Sequence, residues 1–188
     1  MKKCLVIEAN PNPLGFTKLL LESFFEGMNE AGIYEHTDFN VFSTEDDQKH
    51  KLWWKNHVEE IKQQIVEADL LVFAFPLWWE MPPYALVEFF QTIFVKDFAY
   101  SHDGTQKKNI LDVMAINLIT MGQEYAFDSK NLGLAMKYCG IKPRHCIFTN
   151  IGPRLDVDKA RMYFQWAKLE GLRADHRVSE TPSVLNYD

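Results

Sequence analysis

Apolar positions follow two alternating patterns along the chain. Runs that are apolar throughout, or at every second position, predict five strands at Lys3–Glu8, Glu35–Phe42, Leu70–Phe75, Ile110–Thr120 and His145–Ile151. Apolar residues three or four positions apart predict five helices at Thr17–Ala31, Trp54–Ala68, Pro83–Phe94, Asp128–Tyr138 and Asp156–Gly171. Strands that alternate with helices are typical of an α/β fold with a mainly parallel sheet.

Length and charge narrow the class of protein. The 188 residues suit one domain, which we place at 1–172, followed by a polar C-terminal tail at 173–188. The net charge is −6 and no basic stripe is present, which argues against a nucleic-acid partner. No apolar run approaches the roughly 20 residues of a membrane-spanning helix, and the N-terminus lacks a signal-peptide pattern. We therefore expect a cytoplasmic protein without membrane insertion.

The cysteines and histidines do not predict a metal site. Cys4, Cys139 and Cys146 have no CxxC spacing, and six scattered histidines form no HExxH motif. We interpret the cysteines as buried free thiols and expect no bound metal.

Three loops are predicted at the carboxyl edge of the sheet, where parallel sheets bind their ligands. The first, ANPNPLGFT, leads into a helix whose free N-terminal amides attract phosphate. Asn10, Asn12 and Thr17 add polar side chains, and Gly15 allows close backbone approach. Neither a GxGxxG nor a GxxxxGK[ST] motif is present, and the same residues also make ordinary helix caps.

The second loop, FPLWWEMPPY, carries two adjacent indoles, Trp78 and Trp79. Successive side chains of a strand point to opposite faces, so both cannot enter one core. We expect at least one of them to line the crevice, where a flat heteroaromatic ring would stack. The alternative is that both cover neighbouring helices or a subunit interface.

Two further segments offer weaker signals. The loop at 121–125 contains Gly122 for close backbone approach and Tyr125 as a hydroxyl donor, which would stabilise negative charge on a reduced ring. The segment at 97–104 holds Tyr100 and His102 and is either a lid or an ordinary surface loop.

Taken together, these loops resemble the flavodoxin-like NAD(P)H:quinone oxidoreductase family. The resemblance spans about residues 3–171 and is strongest at 68–100, with a buried strand, Pro-Leu-x-Trp, a proline-started helix and Phe-Ala-Tyr. It implies a three-layer sandwich around a five-stranded parallel sheet in the order 2-1-3-4-5. It also implies a flavin, FAD more often than FMN, bound at a homodimer interface, with NAD(P)H as co-substrate.

Residue roles carry over from the family by position. The implied cofactor-binding residues are Asn10, Gly15, Phe16, Thr17, Pro76, Leu77, Trp78, Trp79, Glu80, Thr120, Met121, Gly122, Gln123 and Tyr125. Gly122, Gln123 and Tyr125 are also the implied catalytic donors. The implied substrate-binding residues are Trp79, Tyr100 and His102.

The chain departs from the family pattern at several positions. Asn10 and Gly15 replace the usual His and Ser of the phosphate loop, and Glu80 and Met81 stand where an aromatic residue and Gly are common. No counterpart can be assigned for the catalytic His that larger members carry after the fourth strand.

The resemblance implies an oxidoreductase in which NAD(P)H passes hydride to flavin N5 and a quinone or similar small acceptor then takes two electrons. Two other hypotheses remain open at this stage. One is a flavodoxin-like one-electron carrier, and the other is a non-catalytic accessory subunit with the same fold.

Overall fold

The structure is a computed structural model that describes residues 1–43, 52–102, 107–109, 111–123, 130–153, 155–175 and 183–184. The strands are β1 (Lys2–Glu8), β2 (Tyr34–Asn40), β3 (Leu70–Leu77), β4 (Tyr100–His102), β5 (Lys107–Asn109), β6 (Val113–Met121), β7 (Ile141–Phe148) and β8 (Ser183–Val184). The helices are α1 (Phe16–Ala31), α2 (Val58–Glu67), α3 (Tyr84–Ile93), α4 (Lys130–Tyr138) and α5 (Val157–Leu172), with a 3₁₀ turn at Trp53–Asn56 before α2.

The main sheet is parallel and has the order β2-β1-β3-β6-β7-β8. Its first five strands match the predicted order 2-1-3-4-5, so the predicted fold class is confirmed. The sixth strand is new: Ser183 and Val184 pair in parallel with Cys146 and Ile147, within the segment predicted as a tail. The antiparallel hairpin of β4 and β5 forms a separate two-stranded sheet.

The strands β3 and β6 are buried on both faces, as their continuous apolar sequences predict. Each face of the sheet has its own hydrophobic cluster. One cluster joins the sheet to α2, α3 and α4 through residues such as Ile61, Phe89 and Met136. The other joins it to α1 and α5 through residues such as Phe24 and Tyr163. The result is a three-layer sandwich. The three cysteines are buried and free, as predicted.

Capping explains where two helices stop and start. Gly32 follows α1 with a left-handed φ of 63°, and its N–H donates to the carbonyl of Met28. Asp156 caps α5 by accepting a 2.8 Å hydrogen bond from the N–H of Lys159. Both positions agree with the predicted ends.

Several predicted boundaries differ from those of the structure. The helix predicted from Trp54 is divided at His57, whose φ of −114° and ψ of 23° are not helical. The strand predicted from Ile110 starts at Val113. The strand predicted from His145 starts at Ile141. The pattern missed this start because Lys142, Pro143 and Arg144 interrupt the apolar run. Pro143 is tolerated since β8 pairs only with Cys146 and Ile147, which lie further along β7.

None of the helices in the described ranges combines the length and apolar character that crossing a bilayer requires.

Candidate functional site

The site begins where β1 leaves the sheet. The last β1 contact with β3 is the 2.8 Å hydrogen bond from the N–H of Ala9 to the carbonyl of Ala74. Beyond that point β3 continues beside β6 alone, with Pro76 opposite Thr120 and Leu77 opposite Met121. A parallel sheet opens a ligand crevice where neighbouring strands connect in opposite directions, as β1 and β3 do here.

Asn10 and Asn12 fold the first loop back onto itself. The Asn10 side chain is buried, donates from Nδ2 to the carbonyl of Asn12 at 2.7 Å, and accepts at Oδ1 from the Asn12 N–H at 3.1 Å. The Asn12 carbonyl also accepts from the N–H of Gly15 at 3.0 Å, and Asn12 Oδ1 accepts from the N–H of Leu14 at 3.1 Å. The polar atoms of the loop are therefore largely used to hold its shape.

The small size of Gly15 serves this fold. A Cβ at Gly15 would lie 3.1 Å from Asn10 Nδ2 and 3.1 Å from the carbonyl oxygen of Asn12. The φ of Gly15 is an ordinary −76°, so no left-handed conformation is required. A side chain at this position would therefore require a small shift of the two asparagine groups.

The first turn of α1 presents uncapped amides at the edge of the crevice. Gly15 provides no side-chain cap, and among the described residues the backbone N–H groups of Phe16 and Thr17 have no acceptor. The Phe16 ring is turned away and stacks on Phe164 of α5, with a centroid distance of 5.1 Å. The ring of Phe16 therefore packs on α5, and its backbone N–H has no acceptor among the described residues.

Thr17 connects the first loop to the carboxyl end of β6. Its Oγ1 lies 2.7 Å from Oγ1 of Thr120, the penultimate residue of β6, and both side chains are buried. This hydrogen bond fixes the N-terminus of α1 beside the carboxyl ends of β3 and β6. Uncapped amides at a helix N-terminus carry a partial positive charge that attracts anions.

A two-residue turn displays the indoles. The N–H of Trp78 donates to the carbonyl of Met81 at 3.0 Å, and the N–H of Met81 donates to the carbonyl of Trp78 at 3.0 Å. Trp79 and Glu80 between them have φ values of 54° and 62°, the pattern of a type I′ turn. Turns of this type favour Asn and Gly at the two central positions. Because Trp and Glu stand there, the local sequence does not predict the turn.

Both indoles lie outside the hydrophobic core. Trp78 is 45% exposed and Trp79 is 91% exposed. Their exposure comes from the turn and not from alternation along a strand, and the stacking of a ring on them stays a prediction. They border a cleft of about 520 Å³, which is lined by Leu77, Trp78, Trp79, Glu80, Met121, Gly122 and Gln123.

The remaining predicted residues lie apart from this cleft or outside the description. Tyr100 is in β4, where its ring meets Tyr138 of α4 edge-on at a centroid distance of 4.8 Å. His102 ends β4, and its side chain lies outside the described residues. Tyr125 also lies outside the described residues. The structure therefore brings together the Trp78–Glu80 turn and residues 121–123, but not Tyr100, within one chain.

Two supporting residues were missed by the sequence reasoning. Asn40, at the end of β2, donates from Nδ2 to the Asn10 carbonyl at 2.7 Å. Glu8, at the end of β1, is buried, and its Oε2 lies 3.2 Å from Lys18 Nζ. Burial raises the pKa of Glu8 against the opposing effect of Lys18. A polar residue at the end of each apolar strand was the available signal.

The comparisons with known proteins give the family. A family model described as the flavodoxin-like fold matches residues 2–163, and the chain belongs to this family. A search of curated proteins finds no match.

Several solved structures share the fold. One is an NAD(P)H:quinone oxidoreductase from Methanothermobacter marburgensis, at 23% identity and a TM-score of 0.71, covering 95% of this chain and 99% of that one. Another is an FMN-dependent NADH-azoreductase from Bacillus anthracis in complex with FMN, at 16% identity and a TM-score of 0.77, covering 94% and 100%. A third is general stress protein 14 from Treponema denticola in complex with FMN, at 18% identity and a TM-score of 0.56, covering 90% and 99%.

Proposed function

We propose that the protein is an FMN-dependent NAD(P)H oxidoreductase that reduces a quinone or a similar small aromatic acceptor. The observation that carries this proposal is the cleft between the Trp78–Met81 turn and residues 121–123. Two exposed indoles border this cleft, and the Thr17–Thr120 hydrogen bond ties the uncapped start of α1 to the residue next to Met121 of the cleft lining. A planar ring with a phosphate tail needs both features in this order.

The residues present fit a flavin mononucleotide. The phosphate would be bound by the amides of Phe16 and Thr17, which the Thr17–Thr120 hydrogen bond holds in place. The ring would lie against Trp79, between Leu77 and Met121, and its polar edge would receive hydrogen bonds from Gly122 and Gln123. Pro76, Trp78 and Glu80 would be further neighbours of the ring.

In this enzyme the cofactor would supply the redox chemistry, and the protein would supply binding and orientation. A bound FMN supplies two-electron hydride chemistry at its N5 atom, between NAD(P)H and the acceptor. This chain would bind the ring, orient the nicotinamide and then the acceptor over it, and keep water away from the stacked faces. The names of the neighbours support this assignment, because they include FMN-dependent and NAD(P)H-dependent reductases. We propose FMN in place of the FAD implied by the sequence resemblance, since the cofactor named for these neighbours is FMN.

The proposal is tested by titration of the purified protein with FMN and FAD, followed by turnover of NADH and NADPH with menadione. We expect FMN to bind, and we expect the FMN-loaded protein to oxidise NADH or NADPH and to reduce menadione. Failure of both flavins to bind at saturating concentration would end the proposal.

Trp79→Ala gives the sharpest test of the stacking role. We expect the FMN affinity to fall by a factor of about two to ten, because one aromatic stack contributes about 0.5 to 1.5 kcal/mol. Trp79→Phe keeps a flat ring and should recover most of the affinity. Because Trp79 is 91% exposed, we expect the free energy of unfolding of both variants to equal that of the parent within about 0.5 kcal/mol. An unchanged FMN affinity in Trp79→Ala would show that the indole is not part of the site.

We also propose that the protein is a homodimer, with Tyr100 and His102 lining the substrate pocket of the other subunit. Beside the cleft, Met81 is 61% exposed, Tyr84 is 69% exposed and Val87 is 40% exposed, which forms an apolar surface. Sedimentation equilibrium should give twice the chain mass of 22.0 kDa. Val87→Glu should shift the equilibrium to the monomer, and a parent protein that stays monomeric at micromolar concentration would contradict the dimer.

A further inference from the structure

We propose that Glu80 makes this cleft selective by charge, so that it takes neutral and cationic aromatic acceptors in preference to anionic ones. The inference rests on the proposed function and names the substrate class of the same site. It follows from where the Glu80 carboxylate lies and from the absence of a compensating cation in the described part of the cleft.

The backbone under Glu80 is tightly constrained. Glu80 is the second of the two central residues of the Trp78–Met81 turn, which two reciprocal 3.0 Å hydrogen bonds close. Its φ of 62° is the left-handed conformation, which Gly or Asn adopts at lower cost. The backbone of Glu80 is therefore fixed beside Trp78 and Trp79, and its exposed side chain lines the same cleft as the two indoles.

Glu80 is the charged member of the described cleft lining. The other described lining residues are Leu77, Trp78, Trp79, Met121, Gly122 and Gln123, which carry no formal charge. No lysine or arginine of the described ranges lies within ion-pair distance of the Glu80 carboxylate. The net charge of the chain, −6, adds to the local negative potential.

A carboxylate beside an aromatic stacking surface repels a ligand anion and attracts a ligand cation. The cleft is open to solvent, so water screens this interaction, and the expected effect is about threefold to tenfold in affinity. At an ionic strength near 0.1 M the screening length is about 10 Å, so the effect survives in ordinary buffer. It should decrease at high salt.

The test uses three ligands with one ring and different charges: naphthalene-2-sulfonate, 2-naphthamide and 2-naphthylmethylammonium. None of them accepts hydride, so binding is read separately from turnover. Dissociation constants for the FMN-loaded protein are measured from the perturbation of flavin absorbance. In Glu80→Gln we expect the sulfonate-to-ammonium affinity ratio to rise about tenfold relative to the parent, and the change to decrease in 0.5 M NaCl.

A matched control separates local from global charge. Glu30→Gln removes the same charge from the last turn of α1, at the opposite edge of the sheet, where Glu30 pairs with Lys168 at 2.8 Å. We expect this variant to keep the parent ratio. A ratio that is unchanged in Glu80→Gln, or that changes equally in Glu30→Gln, would overturn the inference.

The inference and the proposed function can fail separately. If flavin does not bind, the function fails, and the three ligands are then titrated against the protein alone by indole fluorescence, where the same ratio decides the role of Glu80. If flavin binds and turnover occurs, the ratio of kcat/KM for 1,4-naphthoquinone-2-sulfonate to that for menadione should rise in Glu80→Gln. A constant ratio would refute charge selectivity and leave the flavin site in place.

Discussion

Gly27→Ala is expected to lower the free energy of unfolding by about 3 kcal/mol. A Cβ at Gly27 would lie 1.9 Å from the carbonyl oxygen of Lys168 and 2.8 Å from the backbone nitrogen of Leu172. Gly171 makes the reciprocal approach, with a Cβ position 2.1 Å from the carbonyl oxygen of Phe24. Helices α1 and α5 therefore touch backbone to backbone, and a methyl group has to force them apart.

The sign of this effect is the opposite of helix propensity. In the interior of a free helix, replacing Gly with Ala stabilises by about 1 kcal/mol. Urea unfolding of Gly27→Ala, followed by circular dichroism, measures the change. Gly152→Ala is the matched control, because a Cβ there meets nothing within 4 Å and should change stability by less than about 0.5 kcal/mol. A Gly27→Ala protein as stable as the parent would contradict the close contact.

Acidification is expected to destabilise the fold through His145. This residue is buried in β7, and its Nδ1 lies 3.0 Å from Nδ2 of Asn117 on the neighbouring strand β6. Burial, with a smaller contribution from the positive charge of Lys137, lowers the pKa of His145 from 6.5 to about 4. The Asn117 Nδ2 group donates to Nδ1 of the neutral imidazole. Protonation of Nδ1 would place two hydrogen-bond donors 3.0 Å apart with no acceptor between them.

The direction follows from proton linkage. The unfolded chain protonates His145 below pH 6.5, whereas the folded protein resists protonation until about pH 4. Stability is therefore lost as the pH falls through this window, by a total of about 3 kcal/mol. Above about pH 7 the contribution of His145 is constant.

The measurement is the free energy of unfolding of the parent and of His145→Gln from pH 7 to pH 4.5. The stability of the parent relative to the variant should fall by about 2 kcal/mol over this range, because glutamine does not titrate. Subtracting the two curves removes the contribution of the carboxylates that both proteins share. Parallel curves, or an imidazole that titrates near 6.5 by NMR in the folded protein, would contradict the prediction.

Local patterns were sufficient for the strands and helices that position the site. The continuous apolar run at Leu70–Phe75 predicted a strand covered on both faces, and Gly32 and Asp156 marked helix ends at the residues where the structure has them. They failed where polar residues and a proline lie in a strand, as at the start of β7. A pattern of local hydrophobicity cannot show that Arg144 is buried beside Glu170, 3.2 Å away on α5.

For the site as well, the sequence predicted some features and only the structure showed others. The sequence indicated that at least one of Trp78 and Trp79 lines a crevice, but not that a type I′ turn without Gly or Asn exposes both of them. It identified Asn10 and Gly15 as loop residues. The packing of the Asn10 amide into the space beside Gly15 became visible only when the loop was folded.

Side-chain periodicity is a local property, so the sequence by itself was sufficient to predict an α/β fold with a mainly parallel sheet and three loops at its carboxyl edge. The sandwich and the strand order were implied by the resemblance to the flavodoxin-like family. Only the tertiary structure decided which atoms meet across the chain. The Thr17–Thr120 hydrogen bond joins residues 103 positions apart, and the α1–α5 contact depends on two glycines that look helix-weakening in isolation. Such contacts depend on distances between elements, which are set when the two faces of the sheet pack their helices and not by the preferences of any single segment.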